Sequence, residues 1–324
     1  MADSGIITKQ DFLGRDVVSI DDFSTSEIDY ILDHAEKVQK WPQEFEGSMQ
    51  GKQMMPMFFE NSTRTATSFQ VAMHNLSGSV VDLDLERSSI KKGETLRDTI
   101  KMINGYKPDV IVIRHSKDGS ARFVADISPI PVMNAGDGKN QHPTQTLLDL
   151  YTIKEIKGTL DNVKIAIAGD LKYGRTPHSL ALALARYEGC DMSFVSPESL
   201  SMPKDLLARL DKQNIMYTES GLNDLEEVIN NCDMVYMTRV QRERFPEGPE
   251  GEHEYDRVAS EYCLKESMLE NVGARFKILH PLPKVFEIED SVDDTDYAYY
   301  FRQAENGVYI RMALLDLVLG GYDD

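Results

Sequence analysis

Short apolar, β-prone runs alternate with helix-patterned segments along nearly the whole chain, and that alternation leaves few folds open. One set of runs covers 54–59, 80–85, 109–114 and 131–135; a second covers 164–169, 192–196, 234–237 and 277–279. Between them the apolar period changes. Ala66, Phe69, Met73 and Leu76 are spaced by 3, 4 and 3 residues, which puts them on one helix face. Leu96, Thr99, Ile100 and Ile103 repeat the pattern. Strands alternating with helices predict parallel sheets covered on both faces, so the expected class is α/β. Two sets of strands predict two such domains, in a chain of 324 residues that is long for a single core. A helix over 143–157, opened by Pro143 where a missing N–H costs nothing, is placed to join them. A last helix is expected at about 306–319, after an acidic loop at 287–296.

The formal net charge of −19 argues against a nucleic acid or an anionic membrane as partner. It also means that any anion site must gather its own cations. The longest apolar stretches, such as 163–168, are strand-sized and too short to span a bilayer. The opening MADSGIITKQDFLG lacks the basic start and apolar block of a secretory signal. Cys190, Cys232 and Cys263 are scattered and odd in number, so no disulfide framework or zinc pattern is expected. They suit a reducing cytoplasm. The stretch at 242–256, rich in Gly, Pro and charge, reads as a surface loop.

Polar and cationic residues gather where strands end. After the first run comes Glu60-Asn61-Ser62-Thr63-Arg64-Thr65, and a helix begins there. Free N–H groups at a helix start attract anions, and Ser62, Thr63, Thr65 and Arg64 add hydroxyl and guanidinium donors. The same turn also fits a plain Ser/Thr N-cap. It has no glycine and is not a Walker loop. Ser88, Lys91 and Lys92 lie in a loop before another helix, and Arg114 ends a strand. Ligands of open α/β sheets bind beyond the carboxyl ends of the strands, so Arg114 belongs on the edge that carries the Ser62–Thr65 turn. His142 and Gln145 flank a helix start on that edge and can both donate hydrogen bonds. In the second half, Arg175 opens a helix, Arg239 and Gln241 follow a strand, and HPLPK from His280 forms a rigid turn able to present carbonyls. Two arginines there suit a dicarboxylate.

These residues resemble a known family, the aspartate carbamoyltransferases. The matching strings are STRT, KKGET, RH, HPTQTLLDL, GDLKYGRT, TRVQRER and HPLP, in the family's order and with family-like spacing. The resemblance runs from about residue 15 to the C-terminus. It implies two doubly wound parallel-sheet domains. Residues 1–148, with a C-terminal helix at about 304–324 packing back, would bind carbamoyl phosphate; residues 149–303 would bind aspartate. It implies a carbamoyl phosphate site of Ser62, Thr63, Arg64, Thr65, Arg114, His142 and Gln145. Ser88 and Lys92 would enter that site from a neighbouring subunit of a homotrimer. Aspartate would be held by Arg175, Arg239, Gln241, the Pro281 and Leu282 carbonyls, and Lys92. Glu60 would bridge to Arg175 and Arg244 when the domains close. Lys284 departs from the family, many members of which carry arginine there, and the loop at 242–256 has its own sequence.

The resemblance implies transfer of the carbamoyl group to L-aspartate, giving N-carbamoyl-L-aspartate and phosphate, the committed step of pyrimidine synthesis. Arg64, Thr65, Lys92, Arg114 and His142 would be the catalytic residues. Thr65, Arg114 and His142 would polarise the carbonyl oxygen, and the departing phosphate would take the amine proton. No metal or organic cofactor is expected. A separate zinc-containing regulatory chain is expected as partner; its zinc would be its own, because this chain lacks the cysteines. The rival acceptor is ornithine. Against it stand HPLP in place of HCLP, TRVQRER in place of a Ser-Met-Gly loop, and three cations that would repel ornithine. A non-catalytic scaffold would have lost part of this residue set.

Overall fold

The computed structural model describes residues 6–83, 93–240, 248, 251–253, 255–257 and 262–320. The chain divides into two compact units, Met1–Tyr151 with Asn306–Asp324, and Thr152–Glu305. Two helices cross the division. They are α5 (Pro143–Lys157) and the last helix, α9 (Tyr300–Leu319).

The first unit is built on a parallel sheet of β1 (Gln53–Phe58), β2 (Ser79–Val80), β3 (Val110–His115) and β4 (Val132–Asp137), in the order β2-β1-β3-β4. Its helices are α1 (Thr25–Lys40), α2 (Thr63–Asn75), α3 (Leu96–Tyr106), α4 (Ser120–Ile127), the start of α5 and most of α9. The predicted faces are the buried ones: Phe69, Met73 and Leu76 of the α2 region, and Ile100 and Ile103 of α3, are inaccessible to solvent. Each such side chain contributes about 1.5–3 kcal/mol of burial. Ile100, Ile103, Ile111, Ile113, Val124 and Met57 form one cluster on the sheet. Pro56 lies beyond β2's pairing, which ends at Met54, so its missing N–H costs no bond on that side.

The second unit holds β5 (Lys164–Ala168), β6 (Asp191–Val195), β7 (Met216–Ser220), β8 (Met234–Met237) and β9 (Lys277–Leu279). These strands are parallel in the order β7-β6-β5-β8-β9. Its helices with described bounds include α6 (Arg175–Leu184), α7 (Lys204–Lys212) and α8 (Leu225–Ile229), with the end of α5 and the start of α9. Val235, Met237, Ile278 and Tyr262 anchor its core.

Three expectations need correction. Among the described residues of the run at 80–85 and its approach, strand pairing is confined to Ser79–Val80. Asp82 suits an exposed edge, and such edges are kept short; residues 84–92 lie outside the described part. β7 was not expected. Its sequence MYTES is mostly exposed, with Met216 at 73%, so it carries no apolar run; pairing with β6 makes it a strand. The last helix starts at Tyr300, earlier than expected, and the preceding acidic segment holds a short 3-10 turn at Asp290–Asp294. Among the described residues no helix is long and apolar enough to cross a membrane.

Candidate active site

In each sheet the chain winds outward in one direction and then in the other, and the reversal leaves a crevice at the carboxyl edge. In the first sheet the reversal lies between β1 and β3, and in the second between β5 and β8. The turn after β1 leads into the Ser62–Thr65 segment, and Arg114 is the last residue but one of β3. The turn after β5 leads to Arg175, and Arg239 follows β8. The polar segments picked from sequence therefore flank the two crevices that the topology makes.

In the first unit, α2 begins at Thr63 with Ser62 as N-cap residue, and the Ser62 side chain makes no capping bond. The first intrahelical bond is Ala66 N–H to Ser62 O at 3.0 Å, so the amides of Thr63, Arg64 and Thr65 precede the helical ladder. The first turn carries no acid that would compete with an anion. Thr65 is buried, while Thr63 and Arg64 are exposed. Arg114 pairs with Glu60 at 2.9 Å and donates to the Ala135 carbonyl at 3.0 Å. Burial lowers its pKa below the usual arginine value, and Glu60 opposes that shift.

His142 is 5% exposed, and its Nδ1 lies 3.4 Å from the Thr144 hydroxyl. Gln145 donates from Nε2 to Asp149 at 2.9 Å. The turn that delivers both is organised by Asp137, a buried acid whose role sequence reasoning missed. Its carboxylate accepts from Asn134 Nδ2 at 2.9 Å, Gly119 N at 2.9 Å, Gln141 N at 3.0 Å and Asn140 Nδ2 at 3.1 Å. A buried carboxylate is tolerated when it is so fully bonded. Its only sequence signal was an acid at the end of a strand in GDGKN.

In the second unit, Gly169 leaves β5 with φ +116°, and a Cβ there would stand 2.5 Å from the Thr238 carbonyl and hydroxyl and the Tyr262 hydroxyl. Only glycine fits so close an approach. The turn is then tied down by Asp170, which takes the Tyr173 amide at 2.9 Å, and by His178, whose Nε2 donates to the Leu171 carbonyl at 2.6 Å. Burial lowers the His178 pKa, so the neutral ring is favoured. Arg175 is the first residue of α6, behind Gly174. Arg239 follows Thr238, whose hydroxyl donates to the Ala168 carbonyl at 2.9 Å and so ties β8 to β5.

The HPLP turn is shaped from beneath. His280 accepts the Leu282 amide at Nδ1, 2.7 Å, so its ring proton sits on Nε2, which donates to Glu287 at 2.8 Å. The second Glu287 oxygen takes the Val285 and Phe286 amides, both at 3.1 Å. Leu282 has φ +56°, an uncommon conformation that this network enforces. Glu287, fully buried, was not picked from sequence. Ser88, Lys92, Gln241 and Arg244 lie outside the described residues.

Comparison with known proteins agrees with this architecture. Residues 15–155 match the carbamoyl-P binding domain, and residues 161–318 the Asp/Orn binding domain, of aspartate/ornithine carbamoyltransferase. The chain is 50% identical to the aspartate carbamoyltransferase catalytic subunit of Thermococcus kodakarensis, over 96% of this chain and 98% of the relative. It is 51% identical to that of Methanothrix thermoacetophila, over 94% and 98%. The solved catalytic subunit of M. jannaschii aspartate transcarbamoylase superposes with TM-score 0.86 at 45% identity, covering 94% of this chain and 97% of that one. The Trypanosoma cruzi aspartate transcarbamoylase, solved in complex with carbamoyl phosphate and aspartate, superposes with TM-score 0.87 at 34% identity, covering 95% and 96%. With both domain models matched in order and identity near half over almost its whole length, the chain belongs to the aspartate carbamoyltransferase catalytic subunits of the aspartate/ornithine carbamoyltransferase family.

Proposed function

We infer that this chain catalyses carbamoyl transfer from carbamoyl phosphate to L-aspartate, giving N-carbamoyl-L-aspartate and phosphate for pyrimidine synthesis. The observation that supports it most is the matching of ligand chemistry to the two crevices. The first unit offers helix amides, hydroxyls and a half-buried arginine, which suit a phosphate beside a carbonyl. The second offers Arg175 and Arg239, which suit two carboxylates.

In this reading Ser62, Thr63, Arg64 and Thr65 take the phosphate. Arg114, His142 and Thr65 face the carbonyl oxygen as it gains charge, and Gln145 orients the carbamoyl group. Arg175, Arg239, Gln241 and the Pro281 and Leu282 carbonyls hold aspartate, which removes the entropic part of the barrier. The leaving phosphate accepts the amine proton. The closure role that the resemblance gives Glu60 and Arg244 belongs to the same reading. A steady-state assay with carbamoyl phosphate and either aspartate or ornithine decides it. Turnover of aspartate alone is expected, and turnover of ornithine alone would overturn it.

The same reading includes a cytoplasmic homotrimer in which Ser88 and Lys92 serve the neighbour's site. Reassorting nearly inactive Lys92→Gln and His142→Ala chains should then raise activity well above either parent. A mixture no better than the parents' average, with exchange shown by tagging, rules the shared site out. A regulatory chain carrying its own zinc completes the assembly. Light scattering of the native complex should exceed a trimer's mass, and a bare trimer would end that part of the reading.

A further inference from the structure

Arg311, on α9 in the first unit, is a charge in an expensive place. It is 3% exposed, and its guanidinium stands over the Phe69 ring of α2, 5.1 Å from the centroid. Its Nη2 donates to the Thr144 hydroxyl at 3.4 Å, while its Nε is buried without a hydrogen-bond partner among the described residues. Burial pushes its pKa down to about 10, opposed by the charge of Asp149. A well-packed apolar side chain would often serve a core better than such a group, so its retention calls for a reason. The fold even makes room for it. A Cβ on Gly307, one turn earlier, would overlap Nη1.

We propose that Arg311 is a positioning residue that sets the tautomer of His142 through Thr144. A guanidinium only donates, so the Thr144 oxygen must accept from Nη2. The proton of that hydroxyl is then left for its other neighbour, His142 Nδ1, also 3.4 Å away. A ring nitrogen that accepts carries no proton, so the neutral imidazole keeps its proton on Nε2 and offers that N–H as donor. Both bonds are long, and they lie in a buried setting where a hydrogen bond is electrostatically stronger than in water and neighbouring bonds polarise one another. Asp149 works from the other side. It tempers the Arg311 charge and accepts from Gln145, so the field around Arg311 reaches a second side chain of the same turn. The inference rests on the reading of His142 as the donor to the carbamoyl oxygen.

The test uses Thr144→Val, Thr144→Ser, Arg311→Met and the Thr144→Val/Arg311→Met double variant in the assembled enzyme. Kinetics are paired with imidazole nitrogen NMR of protein labelled with ¹⁵N-histidine, assigned by His142→Ala. Wild type should show the His142 proton on Nε2. Thr144→Val and Arg311→Met should each mix the tautomers and lower kcat about tenfold or more, with aspartate KM little changed. The double variant should be no worse than the more damaged single one, because both break the same chain. Thr144→Ser should restore tautomer and kcat together. An unchanged tautomer in Thr144→Val, or a Thr144→Ser no better than Thr144→Val, overturns the relay. The Thr144 pair decides even where Arg311→Met does not fold. A wild-type kcat in His142→Ala would instead sink the role given to His142, while the NMR signature judges the relay by itself.

Discussion

The carboxyl edge of the first sheet offers backbone amides and hydroxyls at a helix start, whereas the edge of the second offers arginines on turns that buried side chains shape from below. In the first, the donors come with the helix and need only a suitable N-terminal sequence. In the second, the turns themselves must be held, by Asp170 and His178 before Arg175 and by His280 and Glu287 beneath the HPLP turn. The difference follows the ligands these edges suit. A phosphate accepts from donors on all sides, so a cradle of amides fits it. Two carboxylates on a short carbon chain demand forked donors at a fixed separation, and only well-supported side chains give that.

The sharpest break between the edges is expected at Arg114. Arg114→Ala removes the side chain that the proposed function assigns to the reacting carbonyl, and leaves Glu60 without its partner at 2.9 Å. We expect kcat to fall about 10²–10³-fold, the usual loss for one oxyanion donor. Rapid-quench or steady-state kinetics at saturating substrates check it. A wild-type kcat would show that the first edge works without its arginine.

Next comes the test of fork against point charge on the second edge. Arg239→Lys keeps the charge and loses the planar pair of donors. Aspartate KM should rise about tenfold to a hundredfold, since charge-assisted bonds contribute about 1.5–3 kcal/mol each. The dissociation constant of carbamoyl phosphate should hardly move. If both constants moved together, the division of labour between the edges would be wrong.

Much of this was legible in the sequence, and the reason is local. The Ser62–Thr65 turn, Arg114, Arg175 and Arg239 sit where a β-prone run stops, so a strand, a polar residue and a helix pattern mark them in a few positions. β7 was hidden because Met216 faces solvent and the strand exists only through its pairing with β6. Supporting residues were hidden for another reason. Arg311 meets Thr144 across 167 positions of sequence, and Tyr262 meets Ala168 across 94. Nothing local distinguishes a buried arginine that braces a turn from a solvated one. Asp137 was nearly readable, yet an acid at a strand end is far more often a turn former than a buried hub. The order of strands, which makes the two crevices, is likewise a long-range fact.

Glu287 tests the support beneath the second edge. Burial alone would raise its pKa, but the hydrogen bonds from His280 and from backbone amides bring it below the ordinary carboxylate value. A depressed folded pKa means that the charged form stabilises the fold. That contribution is complete above the unfolded carboxylate pKa and is lost as pH falls through the lower, folded one. Glu287→Gln should therefore flatten the acid limb of stability, measured by denaturant titration across that range. Whichever way the new amide turns, its N–H₂ faces a donor, either the Val285 and Phe286 amides or the His280 Nε2–H. We expect a loss of about 1–3 kcal/mol above the transition, with a higher aspartate KM and unchanged carbamoyl phosphate binding. An unaltered acid limb would remove Glu287 from the account.

The smallest effect is expected at Ser62, and it separates two readings of the first edge that sequence left open. A serine at a helix start is ordinarily a cap, and replacing a working cap with alanine costs about 1 kcal/mol of stability. Here the Ser62 hydroxyl makes no capping bond, so the helix does not depend on it. Ser62→Ala should leave the denaturation midpoint within the scatter of wild type. The amides of Thr63, Arg64 and Thr65 survive the substitution, so most of the cradle survives too. On the proposed function, what is lost is one hydroxyl donor to a phosphate oxygen, for which a net loss of about 0.5–1.5 kcal/mol is usual. The dissociation constant for carbamoyl phosphate should therefore rise about two- to tenfold, and that for aspartate should stay. Calorimetry with carbamoyl phosphate, beside a thermal scan without ligand, reads both quantities on one preparation. A lower midpoint with unchanged carbamoyl phosphate affinity would make Ser62 a cap after all and would take its hydroxyl out of the anion site. A higher dissociation constant at an unchanged midpoint assigns that hydroxyl to the ligand, and leaves the helix to be started by its backbone alone.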